Sequence, residues 1–408
     1  MINLKRLFLA GMLLPVLISF TLVSLVGASS EMWIRTYGSG VGQSLVETSD
    51  GGYAIAAGGN ALWLVKTDAN GNTEWNRTYE APSAHSLVEA SDGGYAIAGG
   101  NGLVKTDANG TLEWSQTYGR PGYDFFKALI ETSDGGYAIG GSFSLDYEDP
   151  FADRDFWLVK TDANGNMEWN RTYGKVAGEG YDYANALVEA SDGGYLLAGN
   201  TGHYLVESKV WVIKTDEQGN IEWNQTYGGR EHAGANSVVK TSDGGYALAG
   251  RLFGDFLLIK IDEHGNTEWN QTYSKSDVDE AYSLVETSDG GYALAGYTRK
   301  GQLNSGVTEG WLVKTDASGN ELWSQTYGGT GNHYIYSLVE TSDGAFAMAG
   351  YISHPYPDPP ELLLIKTDKY GNIPEFPSWT IIPLVLIATV ALLFFKKRLS
   401  KRKSGSCL

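Results

Sequence analysis

Along residues 31–373 the apolar positions fall in runs of four to six, each cut short by Gly, Asp, Asn or Ser. Runs of that length suit strands and are too short for helices. One unit shows the pattern in full: Tyr282-Ser-Leu-Val-Glu-Thr, a Ser-Asp-Gly-Gly turn, Tyr292-Ala-Leu-Ala-Gly, a variable loop, Trp311-Leu-Val-Lys-Thr, an Asp-Ala-Ser-Gly-Asn turn, and Leu322-Trp-Ser-Gln-Thr-Tyr. We label these strands a, b, c and d. Strands b and c read as apolar on both faces, as expected of a sheet packed between two others. The string Ser-Asp-Gly recurs with its aspartate at Asp50, Asp92, Asp134, Asp192, Asp243, Asp289 and Asp343, at intervals of 42 to 58 residues. Seven copies at that period predict seven blades.

The phase of the repeat predicts how the ring closes. The chain enters on a lone strand d, Trp33 to Tyr37, and leaves after a lone strand c, Leu362 to Lys366. Pairing the two completes a seventh blade and removes two exposed sheet edges, whereas an open solenoid would need polar caps. The expected fold is an all-β, seven-bladed propeller over residues 31–373. Strand a is then innermost, because the strand that closes the ring is an outer strand d.

Charge and the chain ends supply an address. Formal net charge is -18, and residues 29–395 hold 22 basic against 48 acidic side chains. So acidic a surface repels phosphates, which excludes nucleic acid as a partner. Lys5 and Arg6 precede an uncharged run from Leu7 to Gly27, which predicts an export signal over residues 1–28, or an uncleaved anchor. After a short linker, 374–378, the 17 uncharged residues 379–395 predict a membrane-spanning helix. The basic tail 396–408 that follows would stay cytoplasmic and leave the propeller outside. The single cysteine, Cys407, allows no intramolecular disulfide.

The units resemble the repeats of prokaryotic, largely archaeal, surface proteins in segments such as Ser283-Leu-Val-Glu-Thr-Ser-Asp-Gly-Gly-Tyr292 and Trp157-Leu-Val-Lys-Thr-Asp-Ala-Asn-Gly-Asn166. Thr48-Ser49-Asp50-Gly51-Gly52 is similar to the front half of the Asp-box of sialidase-type propellers, where the motif is a folding element and implies no catalysis. Ala54-Ile55 stands where that box has Thr-Trp. The tail Ile373-Pro374-Glu375-Phe376-Pro377-Ser378 resembles the sorting tails that archaeal sortase-like enzymes process, which implies either processing or plain anchoring.

Alternating strand directions put the a–b and c–d turns on one face and the b–c and d–a loops on the other. The first face is near-identical in every blade and reads as structural turns. The second carries the differences, including five acids between Phe143 and Asp155 and the histidines His85, His203, His232, His333 and His354. Variable loops on a rigid repeat are where propellers bind. The candidate ligand-binding residues there are Tyr123, Asp124, Phe126, Tyr181, Asp182, Tyr183, His232, His333, Tyr334 and Tyr336, whose rings and carboxylates suit sugar or cation contacts.

One register of strand a holds Glu47, Glu89, Glu131, Glu189, Lys240, Glu286 and Glu340, predicting six carboxylates around the axis, either solvated at its mouth or holding a cation. Sequons occur at Asn76, Asn109, Asn170, Asn224 and Asn270, and four of these follow the strand-d tryptophan, so glycans would project from the rim. No His pair has metal spacing, no Ser sits in a nucleophile elbow, and no cofactor is implied. The expected function is a membrane-anchored, extracellular binding or adhesion module for a glycan or a surface protein. A structural envelope component and a carbohydrate-active enzyme are the alternatives.

Overall fold

A computed structural model describes residues 32–373, apart from 60, 82, 122, 145–152, 175–179, 204–206, 229–231, 302–305 and 356. The export segment, the linker, the spanning segment, the basic tail and most of the acidic loop after Phe143 lie outside the described residues. No helix among the described residues is long and apolar enough to cross a membrane.

Seven four-stranded antiparallel sheets form an all-β, seven-bladed propeller. Six blades run in chain order over 41–79, 86–117, 125–173, 183–227, 233–273 and 278–327. The seventh joins Asn332–Glu340, Phe346–Ser353 and Glu361–Lys366 to the N-terminal strand Trp33–Ser39. Trp33 pairs with Lys366 and Tyr37 with Leu362, so the ring closes between the two ends of the repeat.

Adjacent blades are joined by the same contacts at each seam. The strand-d tryptophan lies on the c–d turn glycine of the next blade, where an added Cβ would meet the indole at 2.5 to 2.7 Å; the seven pairs run from Trp33 on Gly71 to Trp323 on Gly371. All seven of these glycines have positive φ, so no other residue fits the turn either sterically or conformationally. Four residues after the tryptophan, on the same strand face, a tyrosine donates its hydroxyl to that glycine's carbonyl at 2.7 to 2.8 Å in every blade. Burial pushes the Tyr79 hydroxyl up to about 12, as befits a phenol that stays neutral and donates.

Strand c departs from the expected apolar pattern. Its lysine (Lys66, Lys105, Lys160, Lys214, Lys260, Lys314 and Lys366) is buried in each blade. Each ammonium reaches the aspartate of the same blade's Ser-Asp-Gly turn at 2.7 to 2.9 Å. In five blades a strand-d glutamate adds a second bond. Burial alone would raise the Asp50 carboxyl, but bonds from Lys66, Thr48 and the Gly52 N–H outweigh it and hold the group at about 2. The Ser-Asp-Gly turn is therefore the counter-ion of a buried lysine as well as a turn.

Candidate functional site

The glutamates of strand a do not line the axis as free carboxylates. Each crosses to the preceding blade and accepts the backbone N–H and hydroxyl of the Ser-Asp-Gly serine: Glu89 from Ser49, Glu131 from Ser91, Glu189 from Ser133, Glu286 from Ser242, Glu340 from Ser288 and Glu47 from Ser342. The ring of carboxylates is thus a ring of clasps between blades, with one clasp missing where Lys240 faces the blade of Ser191. No group of three or more His, Cys, Asp or Glu among the described residues has the arrangement of a metal site.

The axis is lined four residues earlier in strand a. In six blades the a–b pairing slips by one residue there, as between Gly42 and Ser44 or between Ile335 and Ser337. In five of these six blades strand b carries a glycine opposite the slip (Gly141, Gly199, Gly250, Gly296 and Gly350), at which an added Cβ would fall 1.8 to 2.0 Å from a backbone carbonyl oxygen of strand a; in the first blade Ala57 stands there. That close approach accommodates a bulge, and a bulged residue is released from the ladder and re-aimed. The seven residues at this register, Gln43, His85, Lys127, Asn185, Asn236, Tyr282 and Tyr336, together enclose an axial cavity of about 320 Å³.

The chemistry of this ring is uneven around its circumference. Asn185 and Asn236 donate their amide NH2 to the carbonyls of Ala235 and Ala281 in the following blade, and among the described residues no group donates to either Oδ1. Tyr282 and Tyr336 meet edge to face at 4.7 Å and continue into Tyr297, Tyr334 and Tyr351, an aromatic wall between blades six and seven. Burial raises both ring hydroxyls, and for Tyr282 the Glu280 carboxylate raises its hydroxyl further. On the opposite side, burial and then the nearby Lys127 push the His85 imidazole down to about 4, so it is neutral at neutral pH. Water reaches Lys127 from inside the channel, yet protein surrounds it, and that desolvation lowers its ammonium below the usual lysine range.

The candidate residues read from the variable loops divide. Tyr336 lines the cavity and Tyr334 stacks on Tyr351 behind it at 4.7 Å. Asp124 and Phe126 are corrected to structural roles: the Asp124 carboxylate is fully buried and accepts the N–H groups of Arg120 and Ser144, while Phe126 stacks on Trp157 at 4.6 Å. Asp279 repeats the staple in blade six, accepting from Lys275 and Ser276. Asp182 is also buried, and Tyr181 and Tyr183 stack on each other at 6.3 Å. Tyr123 is half-buried, with its carbonyl bound by Arg154. His333 is buried and its pKa lowered mainly for that reason; His232 is exposed and apart from the ring. All five sequon asparagines are exposed, four on strand d and Asn109 in a c–d turn, although Asn170 and Asn224 accept indole N–H groups from Trp157 and Trp211.

Of the seven ring residues only Tyr336 was among the candidates, His85 was noted only as a histidine of the variable face, and the other five escaped the reading of variable loops. The overlooked pattern is that the residue just before each near-constant Ser-Leu-Val-Glu segment takes five different identities in seven blades.

No family model and no curated protein matches the chain. Solved structures do. One is the propeller of Dos1, at 13% identity and a TM-score of 0.50, covering 83% of this chain and 81% of that one. Another is a protein of unknown function from Bacteroides caccae, at 12% identity and a TM-score of 0.45, covering 67% and 93%. At such identity the Dos1 likeness shows the propeller fold alone.

Proposed function

We propose that the chain is an extracellular binding module, anchored to a membrane through residues 379–395, that takes a small polar ligand in its axial cavity. The observation that carries the binding role is where the repeat varies. Strand a is near-constant from Ser44 to Glu47 and at the matching positions of other blades, and the residue just before that segment, whose side chains converge on the axis, takes five identities in seven blades. The convergent side chains thus differ around the ring in hydrogen-bonding character and shape. The cavity volume is at the lower end of the about 300–1,000 Å³ usual for small-molecule sites, and a tyrosine wall facing free amide oxygens suits the faces and hydroxyls of one sugar ring. The address rests on the basic cluster that follows the 17 uncharged residues, and glycans on the exposed strand-d asparagines would then cover the rim.

The test is a thermal-shift screen of monosaccharides on the full chain in detergent. At least one sugar is expected to raise the melting temperature of the native protein and not that of the Tyr282→Ala/Tyr336→Ala variant. A screen with no shift, or a shift equal in both proteins, removes the axial site. Self-association without any small ligand would instead favour a structural envelope component.

A further inference from the structure

We propose that the axial ring takes an anionic sugar, with the ligand's carboxylate paired to Lys127. This deepens the binding role of the cavity and rests on it. The seven lysines of strand c are buried, whereas Lys127 is open to water inside the channel and is the one cation among the seven ring residues. Every strand-c lysine has an aspartate at 2.7 to 2.9 Å. Among the described residues nothing bonds the Lys127 ammonium. An ammonium open to the channel and bonded to no protein group is available to an anionic ligand, and this chain, rich in acids, places none of them in the ring.

The groups facing Lys127 explain what is missing. Its ring neighbours are His85 and Asn185, and the rest of the circumference is Gln43, Asn236, Tyr282 and Tyr336, none of them acidic. Glu280 is the carboxylate whose attraction Lys127 feels, but it is committed elsewhere: it accepts the Tyr297 hydroxyl at 3.2 Å and the Asn236 amide at 3.2 Å, and Arg251 approaches it at 3.8 Å. A carboxylate brought in by a ligand would satisfy Lys127, while the free amide oxygens of Asn185 and Asn236 accept from ring hydroxyls and the tyrosines cover a sugar face. A cavity of about 320 Å³ holds one such ring and little more.

Calorimetric titration of the full chain in detergent, at low ionic strength and neutral pH, uses glucuronate, glucose and inorganic phosphate as probes. Glucuronate is expected to bind at least about tenfold more tightly than glucose. Lys127→Gln should abolish that preference, and Lys127→Arg should restore most of it. Because no described group bonds the Lys127 ammonium, the unliganded Lys127→Gln variant should melt no lower than the native protein. Equal binding of glucuronate and glucose by the native chain overturns the pairing while leaving the axial site standing. An unchanged glucuronate affinity in Lys127→Gln overturns it too, and binding of phosphate without glucuronate overturns the sugar-acid assignment.

Discussion

The buried strand-c lysines and His85 place two kinds of titrating group in the propeller with separate pH windows. Asp50, Asp134, Asp243 and Asp289 are held at about 2 in the folded protein against an ordinary 3.8. Their contribution is present above about 3.8 and is lost as pH falls through 2. His85 is depressed from 6.5 to about 4, so between those values the unfolded chain binds the proton that the folded one refuses. Stability is intact above about 6.5 and falls as pH drops toward 4. Melting temperature should therefore decline in two stages on acidification. His85→Gln is expected to shrink the upper stage, to which the buried His333 also contributes, and to leave the lower one. A melting series from pH 7.5 to 3 checks this, and an upper stage unchanged by the substitution would assign it to other groups.

Strand a does two jobs at two registers. Its glutamate clasps the preceding blade, and its bulged residue faces the axis. Lys240 breaks the first pattern, leaving Ser191 without the carboxylate that six other turn serines receive. Lys240→Glu should install the seventh clasp. Two charge-assisted hydrogen bonds near the surface stabilise by about 1 kcal/mol, which in a domain of this size is a rise of roughly 2 to 4 °C. The measurement is the melting temperature of the single variant; a fall would mean that repulsion among the crowded carboxylates outweighs the bonds.

At the scale of the molecule, closure is made by the same devices as every other seam. Trp33 is buried, packs edge to face on Tyr53 at 5.8 Å and lies over Gly71, while Tyr37 donates to the Gly71 carbonyl. Glu47 and Ser342 supply the inner clasp, and the Leu45 N–H donates to the Ser337 hydroxyl. If the first and last blades hold each other as firmly as their neighbours, Trp33→Ala and Trp169→Ala should each cost about 3 kcal/mol in denaturant unfolding. A Trp33→Ala cost under about 1 kcal/mol would mean that the terminal strand frays from the ring.

The blade number, the four-strand unit and the pairing of Trp33 to Tyr37 with Leu362 to Lys366 were legible because period and phase are linear properties of a repeat. Turn chemistry at the positive-φ glycines was legible for the same local reason. The roles of Lys66, Glu89 and Asp124 were not: whether a charged group is solvated, paired or buried depends on which blade lies beside it, and the partners of Glu89 are 40 residues away. The axial ring needed tertiary structure most of all. Gln43 and Tyr336 are 293 positions apart in the chain, and only closure of the circle, together with the bulge that turns each side chain inward, brings them to one cavity. The sequence by itself determined the repeating blade; the packing of blade on blade decided which charges became structural and which seven side chains line the axial cavity, because both depend on distances that exist only after the ring has closed.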